Sequence, residues 1–267
     1  MVKIKKRNSL SVFVSVIKAL FLRELDMRIS RGKSGIIWTF LEPFLQVFIF
    51  IYIRIVIKEH TGANTMSLYS YAVFMASGFV VFNIFKQILS KSTGAFDANK
   101  ALFSYKQVKP IDTILARVLV EFFLISCVIV VFFMIGFLFD IENFVPKNIL
   151  MVFITIIWFV IFSLGIGLLV GIGNFFYMSI GKFVNIISFL LLIFSGVFFS
   201  LSSVPPIVRD LLLYNPLTHF MEMLHGFYLY GLDDRYVNYS YILYWTMIPY
   251  LVSLWLYLKL EKRIISQ

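Results

Sequence analysis

Apolar runs of about twenty residues, separated by short polar stretches, repeat along the whole chain. A helix crossing the hydrocarbon core of a bilayer needs about 20 apolar residues. Residues 36–57, 69–89, 111–139, 149–172, 180–199 and 241–258 each meet that requirement. The pattern therefore predicts an all-α integral membrane protein with six transmembrane helices. Six crossings put both chain ends on one side.

Between the second and third runs lies a polar segment, 90–110, with four lysines, Phe103, Tyr105 and helix-capping residues packed together. Every other charge-rich segment lies at a chain end, so this loop is the natural docking surface between spans. Asp97 or Asn99 is expected to cap a short helix there. Phe103 and Tyr105 would fill a partner's pocket, and Lys100, Lys106 and Lys109 would meet an acidic rim. At the N-terminus, Phe13, Val16, Ile17, Leu20 and Met27 fall near one helical face, with Ser11, Ser15, Lys18 and Asp26 mostly on another. This predicts a helix lying in the membrane interface. Lys18 interrupts the apolar part and no small-residue cleavage site follows, so the segment reads as retained rather than as a signal peptide.

After the fifth run the pattern breaks. Pro205 and Pro206, then Asn215 and Pro216, divide residues 200–240, and Asn followed by Pro supplies an N-cap and a first helical residue. Two short helices, 207–214 and 217–230, would reach only about 12 and 21 Å, too little to cross. A re-entrant external hairpin between the fifth and sixth spans is expected, because irregular backbone at membrane depth survives only where protein or a water-filled path satisfies it.

Charge sets the orientation. Residues 1–33 carry nine Lys and Arg, and the flanks and loops on that side carry seventeen in total. The opposite loops hold four, Lys58, Lys147, Arg209 and Arg235, among seven acids. The positive-inside rule then places both termini in the cytosol. The formal net charge of +10 follows from these juxtamembrane cations, which face anionic headgroups, and gives no reason to expect nucleic acid. With 60% hydrophobic and 14% charged residues, no segment remains for a separate soluble domain. The single cysteine, Cys127, lies in an apolar run and excludes an intrachain disulfide.

Motifs for chemistry are few. Arg31 to Ser34 ends like a phosphate-binding loop, but Met27 stands where its first glycine belongs and no strand precedes it. His219, Glu222 and His225 are spaced by three along a helix, and this spacing suits capping or hydrogen bonding better than a metal. No catalytic residues are expected. Ionisable groups inside spans are costly and therefore informative. Arg117 and Glu121, four apart on the third span, are expected to neutralise each other. Glu42 enters the first span beside Pro43, and with Arg117 it would anchor a cytosolic gate. The G-x-x-x-G at 167–171 allows close helix contact, either within the chain or between copies.

The block GAFDANKALFSYKQVKPIDTILARVLVE, 94–121, resembles the region after the second span in membrane subunits of bacterial capsular polysaccharide exporters, which are type-2 ABC transporters. FLREL at 21–25, the turn before Trp38, LEP at 41–43 and YNPLTHFME at 214–222 are also similar to that family. Asp97 departs from the glutamate expected there.

The resemblance implies that residues 1–267 form one type-2 ABC transmembrane domain, a half-transporter in the bacterial inner membrane. It would pair with a second copy of itself and with two copies of a cytosolic ABC ATPase, which binds the ATP and Mg; this chain would carry no cofactor. The 90–110 loop becomes a coupling helix, with Asp97, Asn99, Lys100, Phe103, Tyr105 and Lys106 coupling the ATPase. Trp38, Glu42, Arg117 and Glu121 become the cytosolic gate. The cargo would be a lipid-linked acidic polysaccharide, handed to periplasmic or outer-membrane export components. A type-2 permease for another amphiphile (O-antigen, teichoic acid, lipid or drug) and an ATP-independent channel or secondary transporter stand as alternatives.

Overall fold

The computed structural model describes residues 9–30, 41–42, 44–49, 52–53, 68–140 and 144–266. Among them the regular structure is entirely helical. In chain order the helices are α1 (Ser9–Ser30), α2 (Leu68–Thr93), α3 (Pro110–Leu138), α4 (Ile149–Phe176), α5 (Ser179–Phe194), α6 (Pro206–Leu212), α7 (Pro216–Tyr228) and α8 (Tyr239–Ser266). A 3₁₀ helix, Asp97–Ser104, joins α2 to α3.

Local chemistry explains where the helices start. Pro110 begins α3 at a position where its missing N–H costs nothing, and the Asp112 carboxylate accepts the Lys109 N–H at 2.9 Å. Asn148 caps α4 by accepting the Met151 N–H at 3.2 Å. Asn215 caps α7 by accepting the Leu217 N–H at 3.0 Å, and Pro216 follows as the first helical residue.

Among the described residues, four helices are long and apolar enough to cross a membrane: α3, α4, α8 and α2 over Tyr71–Thr93. The 28 and 29 residues of α4 and α3 reach about 42 to 43 Å. The fifth expected span is shorter than the sequence pattern implies. α5 has 16 residues, about 24 Å, and ends at Phe194 rather than at 199. Gly196, at φ +74°, turns the chain, and the end of α5 is satisfied from α7. Asn215 Nδ2 donates to the Phe194 carbonyl at 3.3 Å, and Thr218 Oγ1 donates to the same oxygen at 3.1 Å. Most of the first expected span, 36–57, lies outside the described residues.

α2 packs on α3, α4, α5 and α7, and α8 lies along α4. The glycines of α4 permit these approaches within one chain. A Cβ on Gly167 would come 2.9 Å from Ser92 Oγ, and one on Gly171 would come 3.0 Å from the Ser92 carbonyl oxygen. Gly165 lies against the Tyr250 ring of α8. The G-x-x-x-G face is therefore used for intramolecular packing on the end of α2. Phenylalanines fill the centre: Phe85 lies 6.0 Å from Phe162, and Phe220 of α7 lies 5.1 Å from Phe159 and 5.0 Å from Phe162. Many of the 31 Phe therefore form core as well as lipid-facing surface.

Candidate functional site

The loop after α2 has two faces. Ala95, Phe96, Asn99 and Phe103 are buried, whereas Asp97, Lys100, Tyr105, Lys106 and Lys109 are exposed. Phe96 meets Phe175 of α4 edge-on at 5.9 Å. Asn99 Nδ2 donates to the Ala95 carbonyl at 2.8 Å, and its Oδ1 accepts from Arg23 of α1 at 2.7 Å. Two expectations change here. Neither Asp97 nor Asn99 caps the helix, because the segment starts at Phe96 with no side-chain cap and is wound as 3₁₀. Phe103, 6% exposed, fills the chain's own core, so it is not a knob for a partner; Tyr105, 64% exposed, is the aromatic that faces outward.

Beneath the loop, α1 lies against α3. The expected pair within α3 does not form. Arg117 reaches Glu24 of α1, with Nε 3.4 Å from Oε1, and Glu121 pairs with Arg28 of α1. Arg117 also donates to the Lys91 carbonyl at the end of α2. α1 presents Glu24 and Arg28 with the same four-residue spacing but opposite order of charge, so two ion pairs between helices replace one along a helix. The Glu121 side chain is 2% exposed and that of Arg28 is 18%. Such groups are tolerated in a low-dielectric interior only as partners. α1, the loop, the start of α3 and the 91 end of α2 are thereby tied into one unit.

Glu42, also expected at a gate, pairs outside this unit. Glu42 accepts from Lys86 of α2 at 3.0 Å and from Gln46 at 3.4 Å, and Asn83 reaches Gln46 at 3.4 Å. Trp38 lies outside the described residues. Reading the sequence missed Glu24, Arg28, Arg23 and Lys86. The signal for Lys86 was present, since a lysine inside an apolar run demands a partner. That for Glu24 and Arg28 was their complement to Arg117 and Glu121.

α6 and α7 are the two short helices expected after the fifth run. Pro205 precedes α6 and Pro206 opens it. α7 is buried along nearly its whole length. The polar side chains of α7 are used separately. His219 Nε2 sits 2.9 Å from the Leu213 carbonyl, and its Nδ1 accepts the Asn238 N–H at 3.2 Å. Glu222 lies 3.5 Å from the Leu201 N–H. His225 stacks on Phe74 at 3.8 Å over Gly78. Among the described residues, no three of His, Cys, Asp and Glu are grouped to hold a metal ion.

The profile of the ABC-2 type transporter family matches residues 15–229, from within α1 through α7. The chain belongs to this family. It is 32% identical over 260 residues to the polysialic acid transport protein KpsM of Escherichia coli, covering 97% of the chain and 99% of that protein. The capsule polysaccharide export inner-membrane protein CtrC of Neisseria meningitidis serogroup A is 28% identical over 250 residues, covering 92% and 91%. BexB of Haemophilus influenzae, named likewise, is 28% identical over 239 residues, covering 88% and 86%. In this ABC-2 chain the matched region holds both the α1–loop–α3 unit and the helices α6 and α7.

Proposed function

We propose that the chain is the membrane permease subunit of an exporter that carries lipid-linked capsular polysaccharide from the cytosol across the bacterial inner membrane. The end-to-end match to KpsM, with both chains covered almost completely, carries this reading. ATP hydrolysis belongs to a separate ABC ATPase, two copies of which serve two copies of this chain. The chain itself binds no ATP or Mg and performs no chemistry.

The apolar runs support six spans, and the charge distribution supports both termini in the cytosol. In this topology the α1–loop–α3 unit faces the cytosol. The outer face of the loop, Asp97, Lys100, Tyr105, Lys106 and Lys109, meets the ATPase, and Asn99 and Phe103 transmit its movement. They are suited to this because each is fixed to another element, Asn99 to Arg23 of α1 and Phe103 to the core. The paired charges then make α1 and α3 move together. Glu42, Arg117 and Glu121, with Trp38, hold the cytosolic gate closed at rest. On the opposite side, α6 and α7 enter and leave the membrane as a re-entrant hairpin set by Pro205, Pro206, Asn215 and Pro216. The contact of Phe220 with Phe159 and Phe162 supports re-entry, since those residues lie about 15 to 20 Å along α4 from its outer start. The polysaccharide then passes to periplasmic and outer-membrane components.

Complementation tests this. In capsule-producing cells lacking the chain, the wild-type gene should restore surface polysaccharide. A variant carrying Lys100→Glu, Tyr105→Ala and Lys106→Glu should leave polysaccharide inside the cell with the protein still in the membrane. Surface polysaccharide at wild-type levels from that variant would overturn the assignment of the loop.

A further inference from the structure

Between α2, α3, α4 and α7 lies a cavity of about 160 Å³. Val73, Val80, Val81, Val152 and Leu224 form its buried floor. Phe144 and Pro146 close one end. That end is rigid, because Tyr228 OH donates to the Phe144 carbonyl at 2.8 Å, and the Lys147 and Asn148 N–H groups donate to the carbonyls of Tyr228 and Phe227 at 2.9 and 3.0 Å. Phe144 also lies directly on Gly136, where a Cβ would come within 2.2 Å of its ring.

Among the described residues the lining has two polar side chains, and both donate within the protein: Ser77 Oγ donates to the Phe74 carbonyl at 3.0 Å, and Tyr228 donates as above. Water needs two to four polar partners to enter a cavity, and both hydroxyl protons are already committed, which leaves it only two acceptor oxygens in a lining that is otherwise apolar. An apolar cavity of about 150 Å³ in a protein core stays dry and admits a benzene-sized molecule. At the rim, Ile149 and Phe153, four apart on α4, are 66% and 54% exposed. They belong to a helix long and apolar enough to cross the bilayer, so the mouth faces hydrocarbon. The outermost turns of α4 place it in the outer leaflet, a point that rests on the topology proposed above.

We infer that this cavity is a binding site for a lipid acyl chain, taken up laterally from the bilayer. What enters from that side is chain methylenes, and an unfilled void would forfeit the dispersion contacts of its lining. Its inner wall is the α7 end of the hairpin, through Leu224 and Tyr228. Occupancy therefore braces the hairpin against α2 and α4. The acyl chain comes either from bulk phospholipid or from the lipid anchor of an exported glycan; the cavity reads only the chain.

The test is native mass spectrometry of the chain with its partners, purified in mild detergent and then stripped with a harsher one. Wild type is expected to keep one lipid per chain. Ala76→Phe, which fills the cavity, should lower retention at least fivefold with its melting temperature maintained, and Leu251→Phe on the exposed face of α8 should change nothing. Equal retention by wild type and Ala76→Phe would overturn the inference.

Should Ala76→Phe not fold, wild type in nanodiscs with a phospholipid carrying a terminal diazirine gives the second readout. Saturable labelling of residues 149–156 and 224–228, competed by unmodified phospholipid, is expected. Labelling no greater than at the exposed α8 residues Leu251 and Leu258 would overturn it. Preparations from cells with and without glycan synthesis separate the sources. The same phospholipid mass in both identifies bulk lipid, and a mass lost without synthesis identifies the anchor. A chain that fails to export glycan yet keeps its lipid would refute the proposed function and leave the site standing.

Discussion

Replacing Glu121 by Ala would leave Arg28 facing α3 without its partner. The Glu121 carboxylate is 2% exposed and the Arg28 guanidinium 18%, so bulk water compensates neither well. Removing one member of such a pair costs about 3–5 kcal/mol, most of it the stranded charge. Replacing both residues by Met should cost under about 1 kcal/mol, because the desolvation penalty disappears with the attraction. At roughly 2–4 °C per kcal/mol for a domain of this size, Glu121→Ala should lower the melting temperature by about 6–20 °C. The double variant should stay within about 4 °C of wild type. The assay is thermal unfolding of purified protein in detergent, run as a double-mutant cycle. If the pair lay within α3, as the spacing of Arg117 and Glu121 suggests, Arg28→Met would be silent. A silent Arg28→Met, or a double variant as damaged as the sum of its parts, would refute the cross-helix pairing.

Phe103→Ala should destabilise by about 3–5 kcal/mol and reduce the amount of folded chain, whereas Tyr105→Ala should leave the melting temperature within about 1 °C and weaken ATPase co-purification. Gly171→Leu would drive a side chain onto the Ser92 backbone and should cost about 1–3 kcal/mol in the same melts, with no change in subunit stoichiometry.

Apolar run length located α2, α3, α4 and α8, because crossing a bilayer requires length and composition, both of which are local. The Pro and Asn signals at 205–206 and 215–216 located α6 and α7 to within about two residues for the same reason. The end of α5 was not legible, since Ser195 to Phe199 are apolar enough to continue it. What stops it is Gly196 and the donation from Asn215 and Thr218, some twenty residues later. At the candidate site, the sequence singled out the loop by its charge but did not reveal its inner face. Whether Phe103 points outward depends on the 3₁₀ winding that buries residues 96, 99 and 103 together. The pairing of Arg117 and Glu121 was misread because the nearest partner along a helix is visible in sequence, while Glu24 and Arg28 lie more than ninety residues away.

The most direct test of the central claim is to extract the chain from its native membrane in mild detergent and measure what copurifies, by mass spectrometry and by ATP hydrolysis. The account predicts a stoichiometric P-loop ATPase with wild type, reduced at least tenfold by Lys100→Glu, Tyr105→Ala and Lys106→Glu together while the chain remains in the membrane. The absence of any ATPase, under conditions that preserve other membrane complexes, would contradict it.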